Sequence, residues 1–151
     1  MRYIRKNFFI EGVKVRNLVK KFKTPIYCYS FKKLKENILN FKKNFKKINP
    51  LICFAVKSNS NIKILKEISK FNFGADVVSG GELMMALKAG IKPKKIVFSG
   101  VGKTSSEIEF AIDKDILLIN AESKSEILEI EKIAKFKKKV VDIGIRLNPN
   151  T

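Results

Sequence analysis

The sequence predicts an α/β protein built on a parallel sheet, and three observations carry that expectation. From residue 51 onward, short apolar runs alternate strictly with amphipathic stretches, one pair per roughly 20–25 residues. The apolar runs are continuous rather than alternating, as in strands covered on both faces. Small and polar residues follow the strands, where α/β folds gather their chemistry.

The elements follow in order. Residues 8–22 (FFIEGVKVRNLVKKF) read as a short strand and turn, then a short helix. In TPIYCYS, Pro25 opens a run of aromatic and small residues that reads as a strand. Ser30 can cap a helix beginning near Phe31, which should stop before Asn49-Pro50 because proline disfavours helix in the residue ahead of it. Then come LICFAVK (strand) and NIKILKEISKF (helix), GADVVS (strand) and GGELMMALKAG (helix, closed by Gly90). KKIVFSG, ILLIN and KKVVDIGIRLN are further strands, with SSEIEFAID and SKSEILEIEKIAKF as the helices between them. Five strands and four helices, with right-handed crossovers, suit either a doubly wound open sheet or part of a (β/α)8 barrel.

Composition narrows the class. Hydrophobic residues make up 45% of the 151-residue chain, enough for a real core. No apolar run approaches the roughly 18–20 residues of a membrane span, and the charged start lacks a secretory h-region. Cys28 and Cys53 are the only cysteines. Each sits in an apolar run and reads as a buried thiol in a reducing compartment, so a cytoplasmic location is expected.

The net charge of +18 invites a nucleic-acid reading. Residues 1–50 hold 15 Lys and Arg against 2 Asp and Glu; residues 51–151 hold 17 against 12. FKKLKENILNFKKNFKK could bind phosphate backbones. It also reads as an amphipathic helix whose buried stripe is Phe31, Leu34, Ile38, Phe41 and Phe45 and whose lysines are a solvated face. Only four of the 32 basic residues are arginine, the usual base reader, so no specific nucleic-acid partner is expected.

The strand ends carry Lys57, then Asp76 and Ser79, Ser99 and Gly100, Asn120 and Glu122, and Arg146. Two cations facing one mouth suit a phosphorylated or carboxylated small molecule. SGVGKT (99–104) looks like the end of a phosphate-binding loop, but the position five before Gly102 is Val97 rather than glycine. The turn is too short for that role. It reads instead as a tight strand-to-helix turn in which Thr104 or Ser105 caps the helix, with Lys103 left free to face the mouth. Lys57 is the stronger candidate. Under strand alternation Ala55 shares its face, leaving room for a flat ring. A desolvated lysine there becomes a nucleophile toward aldehydes and forms a Schiff base, as with pyridoxal phosphate, while snorkelling to solvent is the bland alternative.

The segments FAVKSNSN, GADVVSGGEL, KIVFSGVGKTSSEIEFAI, INAESKSEILEIEKIA and IGIRLNPN, in this order and spacing, resemble the diaminopimelate decarboxylases. The resemblance begins at IEG (10–12), includes TPIYCYS and runs to the end. It implies an incomplete (β/α)8 TIM barrel of the alanine-racemase type over residues 31–151, and a segment, 1–30, belonging to a second, β-rich domain. It implies pyridoxal 5'-phosphate bound at Lys57, with Ala55 beside the ring, Asp76 near the lysine and Arg146 near the phenolic oxygen. It further implies a homodimer that converts meso-2,6-diaminopimelate to L-lysine. Ornithine and arginine decarboxylases share the lysine strand but lack the DVVSGGEL wording. The family's ring-stacking histidine, phosphate-binding glycine loop, pyridine-pairing glutamate and late cysteine and tyrosine have no counterpart here, so these residues are expected to form an inactive portion of the enzyme.

Overall fold

The computed structural model describes residues 1–149; Asn150, which ends the LNPN segment, and Thr151 lie outside the described residues. The chain forms two compact units, Met1–Lys47 and Ile48–Thr151.

The first unit opens with an antiparallel sheet of β1 (Arg2–Ile4), β2 (Asn7–Ile10) and β3 (Val13–Lys14), in that order. The β2–β3 turn uses Glu11 and Gly12, both at positive φ. The Glu11 carboxylate accepts from Ser30 Oγ (2.5 Å) and from the Lys32 amide (2.8 Å). The Ser30 hydrogen bond, then that of Lys32, holds its carboxyl below the usual range. Helix α1 (Val15–Phe22) follows, then α2 (Phe31–Asn44), capped as expected by Ser30, whose Oγ accepts from the Lys33 amide. In the α2 stripe Ile38 is buried, Leu34 and Phe45 are half-buried, and Phe31 and Phe41 stay exposed. The expected strand over TPIYCYS is absent. Residues 26–30 pair with no strand, because aromatic β-propensity realises itself only against a partner. Cys28 is accordingly exposed, not buried, and Cys53 is half-buried.

The second unit is a five-stranded parallel sheet: β4 (Cys53–Ala55), β5 (Gly74–Val77), β6 (Ile96–Phe98), β7 (Leu118–Ala121) and β8 (Ile143–Ile145). Helices α3 (Ile62–Lys70), α4 (Gly80–Lys88), α5 (Ser105–Asp113) and α6 (Lys124–Lys137) connect them in turn. The spatial order equals the chain order, β4-β5-β6-β7-β8. A doubly wound sheet must reverse its strand order at a switch point. A monotonic order winds in one sense, as in a barrel, so the open doubly wound alternative falls away.

This winding sets the two faces of the sheet apart. Ala75, Val77, Ile96, Phe98, Ile119 and Ala121 point to the helices and are buried with Leu65, Leu83, Ala86, Ile108, Ala111 and Ile112. Their alternates, Ala55, Asp76, Val97, Ser99, Leu118, Asn120 and Gly144, are half-exposed. The continuous apolar runs therefore do not mean strands buried on both sides in the described residues. Gly90, at φ +86°, follows the Ala89 cap of α4, as its glycine signal predicted.

Candidate active site

Lys57 does not extend the strand. β4 ends at Ala55, and Val56–Ser58 form one 3-10 turn, closed by the Asn59 amide on the Val56 carbonyl and by Ser58 Oγ on the Ala55 carbonyl (2.7 Å). The alternation argument that put Ala55 and Lys57 on one strand face therefore fails. What fixes Lys57 is the turn: Val56 is fully buried beneath it and Lys57 is carried outward, exposed. Its desolvation, expected from the sequence, is not present among the described residues, and its amine has no ion-pair partner among them.

Asp76 stands beside this turn, since Ala55 and Asp76 are register partners across β4 and β5. Ser99 Oγ donates to Asp76 Oδ1 (2.7 Å), and Asn120 Nδ2 donates to Ser99 Oγ (3.0 Å). Asn120 in turn lies over Gly144, its register partner in β8; a Cβ at Gly144 would sit 2.2 Å from Asn120 Oδ1. Cys53 is on the same face. Burial, and then the negative charge of Asp76, pushes its thiol up.

Arg146 follows β8, at the far edge of the sheet from β4, with its amide on the Ala121 carbonyl (3.0 Å). Its guanidinium pairs with Glu122 (3.3 Å) and bonds Asn148 Oδ1 through Nε (3.2 Å). The sheet thus places Ala55, Lys57 and Asp76 together at one edge and Arg146 at the other, all at the C-terminal strand ends.

The loops of this rim are tied in sequence. Glu107 accepts from the Gly80 amide of the preceding loop (2.7 Å) and from the Thr104 amide in a capping box. These bonds, Gly80 first, hold its carboxyl below the usual range. Glu122 accepts from the Gly100 amide (2.9 Å). Lys103 does not face the mouth. Its amine bonds the Gly100 and Asn120 carbonyls (2.7 Å each) and Glu126 Oε1 (2.8 Å), with 1% of the side chain exposed. Thr104 caps α5, as the tight-turn reading predicted, and SGVGKT is a structural clamp rather than a phosphate loop. The sequence had set Ser99, Asn120 and Glu122 on the rim by their place after strands, but nothing in it assigned them partners.

Fold and rim together define a barrel-type α/β protein with polar and charged side chains at the strand ends. The chain belongs to the pyridoxal-dependent decarboxylases, whose pyridoxal binding domain it matches over residues 31–151. It is 51% identical over 133 residues to the diaminopimelate decarboxylase of Helicobacter pylori strain J99, covering 88% of this chain and 33% of that protein. The solved Helicobacter pylori diaminopimelate decarboxylase in complex with L-lysine superposes with a TM-score of 0.86 at 49% identity, over 90% of this chain and 34% of that one. The diaminopimelate decarboxylase of M. jannaschii does so with a TM-score of 0.94 at 35% identity, over 99% and 36%. The chain spans about a third of the length of these relatives. The expected architecture, five strands of an alanine-racemase-type (β/α)8 barrel with a separate β-rich segment, is the one observed.

The residues present fit pyridoxal phosphate. An exposed lysine amine without a counter-ion among the described residues is available to an aldehyde, and the adjoining half-exposed face carries Ala55, Asp76, Ser99, Asn120 and Gly144 beside the apolar Val97 and Leu118. Among the described residues no helix is long and apolar enough to cross a membrane.

Proposed function

We propose that this chain is part of a diaminopimelate decarboxylase, releasing CO2 from meso-2,6-diaminopimelate to give L-lysine. The observation that supports it most is the identity of 51% over 133 residues to an enzyme of that name, and of 49% to one solved with L-lysine bound. Residues 31–151 would be barrel and residues 1–30 part of the β-rich domain. Compactness draws the line elsewhere, grouping α2 with the first unit.

Lys57 would hold pyridoxal phosphate through its amine, on a side chain that the 3-10 turn leaves exposed. Ala55 would leave space for the ring and Asp76 would offer a carboxylate beside the lysine. Arg146 would place a positive charge by the phenolic oxygen, its guanidinium steadied by Glu122. When bound, the cofactor supplies an electron sink for the pair left behind by departing CO2. The chain's own contribution is to hold these groups on rigid strand ends, so that orientation is set before substrate arrives. A cytoplasmic homodimer completes the proposal, supported by the biosynthetic substrate and the kinship to diaminopimelate decarboxylases.

The test is CO2 release by the intact protein from meso-diaminopimelate, ornithine and arginine in parallel. Diaminopimelate should be preferred by at least about 100-fold in kcat/KM, a floor well below the roughly 10^4-fold that a site hydrogen-bonding a substrate's polar group can reach. Preference for ornithine or arginine would replace this reading with a related basic-amino-acid decarboxylase.

A further inference from the structure

We propose that Ser99 and Asn120 are positioning residues that fix the Asp76 carboxylate beside the Lys57 turn; this rests on the assignment of Lys57 and Asp76 to the cofactor site. Asp76, Ser99, Asn120 and Gly144 come from four adjacent strands or strand ends, β5 to β8. The side chains of Asp76, Ser99 and Asn120 form one directed chain across the open face, ending over Gly144. The Asn120 amide donates to the Ser99 oxygen, so the Ser99 proton is directed to the other neighbour, Asp76 Oδ1. A serine accepting on one side and donating on the other has no free rotor left. Asp76 is thereby anchored through Oδ1, and Oδ2 keeps no hydrogen-bond partner among the described residues.

The far end is fixed as firmly. Asn120 Oδ1 occupies the space above Gly144 that any Cβ would fill. The Asn120 carbonyl is held by the buried Lys103 amine, itself paired with Glu126. Every member of the chain is half-buried, where a hydrogen bond keeps more of its strength than in water. A carboxylate on a free rotor would sample several orientations; this one is anchored through Oδ1, with Oδ2 left without a hydrogen-bond partner among the described residues.

The experiment uses the intact protein loaded with pyridoxal phosphate and reads the cofactor dissociation constant and the visible absorption spectrum. Ser99→Ala should weaken cofactor binding roughly 5- to 10-fold, the worth of one hydrogen bond of about 1 kcal/mol, and alter the visible band. Ser99→Thr, which keeps the hydroxyl, should restore both. Asn120→Leu should act in the same direction and keeps the question open to test should Ser99→Ala fold poorly. In an Asp76→Ala background, Ser99→Ala should change neither readout further, because its effect passes through Asp76. An unchanged spectrum and affinity in both Ser99→Ala and Asn120→Leu would overturn the proposal, as would an effect of Ser99→Ala undiminished in the Asp76→Ala background. If the wild-type visible band survives Lys57→Ala, the cofactor assignment itself fails and this inference falls with it, an outcome distinct from the others.

Discussion

The two faces of the parallel sheet come from the same five strands, yet they differ in kind. On the helix face Phe98, Ile96, Ile119, Ala75 and Val77 are fully buried, and that face is the hydrophobic core. On the other, Asp76, Ser99 and Asn120 spend their side chains on one another, two residues or fewer from core positions. Because strand side chains alternate with a period of two, each short strand serves stability and chemistry at once, without compromise between them. The contrast teaches that substitutions one residue apart should fail in different ways.

The largest break is on the core face. Phe98→Ala should cost about 3–5 kcal/mol, measured as a fall in the urea midpoint, since it empties the centre of the cluster. Next is the clamp that joins the rim loops. Lys103→Met strands Glu126 in a buried position and should cost about 3 kcal/mol or more, while Lys103→Met with Glu126→Leu should recover much of that loss. A double variant no better than the single would show that Lys103 acts through the two carbonyls rather than the ion pair.

Smaller effects sharpen the comparison at the loops. Thr104→Ala removes the α5 cap and should cost about 1 kcal/mol. Glu107 is held below the 4.5 of a free glutamate, by the Gly80 amide first and the Thr104 amide second. Its contribution is therefore present above 4.5 and fades as pH falls through the lowered value. Glu107→Gln should flatten the stability–pH curve below 4.5 and leave its slope at neutral pH unchanged; a slope change near neutrality would point to another group.

The smallest stability effect belongs to the open face. Asp76→Asn should lower stability by less than about 1 kcal/mol, read from urea unfolding, while impairing cofactor binding. The two thiols give a companion measurement. Iodoacetamide at neutral pH should modify exposed Cys28 well before Cys53, whose thiol is pushed up by burial and by Asp76. Equal rates would mean that Cys53 is more open than its place in β4 suggests.

Much of this molecule was legible in the sequence, and the reasons are physical. The five strands and four intervening helices could be read because apolar runs and amphipathic stretches report burial directly, and α5 was placed to the residue because its cap is local. TPIYCYS misled, since strand formation depends on a partner that a local stretch does not reveal. The thiols were misread for the same reason: an apolar run around Cys28 does not bury it without something packed above. Lys57 was singled out by an alternation that the 3-10 turn interrupts; the turn is closed in part by Ser58 Oγ reaching the Ala55 carbonyl, a detail no periodicity carries. Lys103 was read as free because its three partners lie 3 to 23 residues away and meet only in the fold. The Asp76–Ser99–Asn120 chain was invisible in the same way, its links spanning 23 and 21 residues.

The central claim, that the rim beside β4 holds pyridoxal phosphate through Lys57, is tested most directly by borohydride reduction of the loaded intact protein followed by peptide mapping. The account predicts one modified peptide, carrying the reduced cofactor on Lys57, and its loss in Lys57→Ala. A stoichiometric adduct on any other lysine, with Lys57 unmodified, would contradict it.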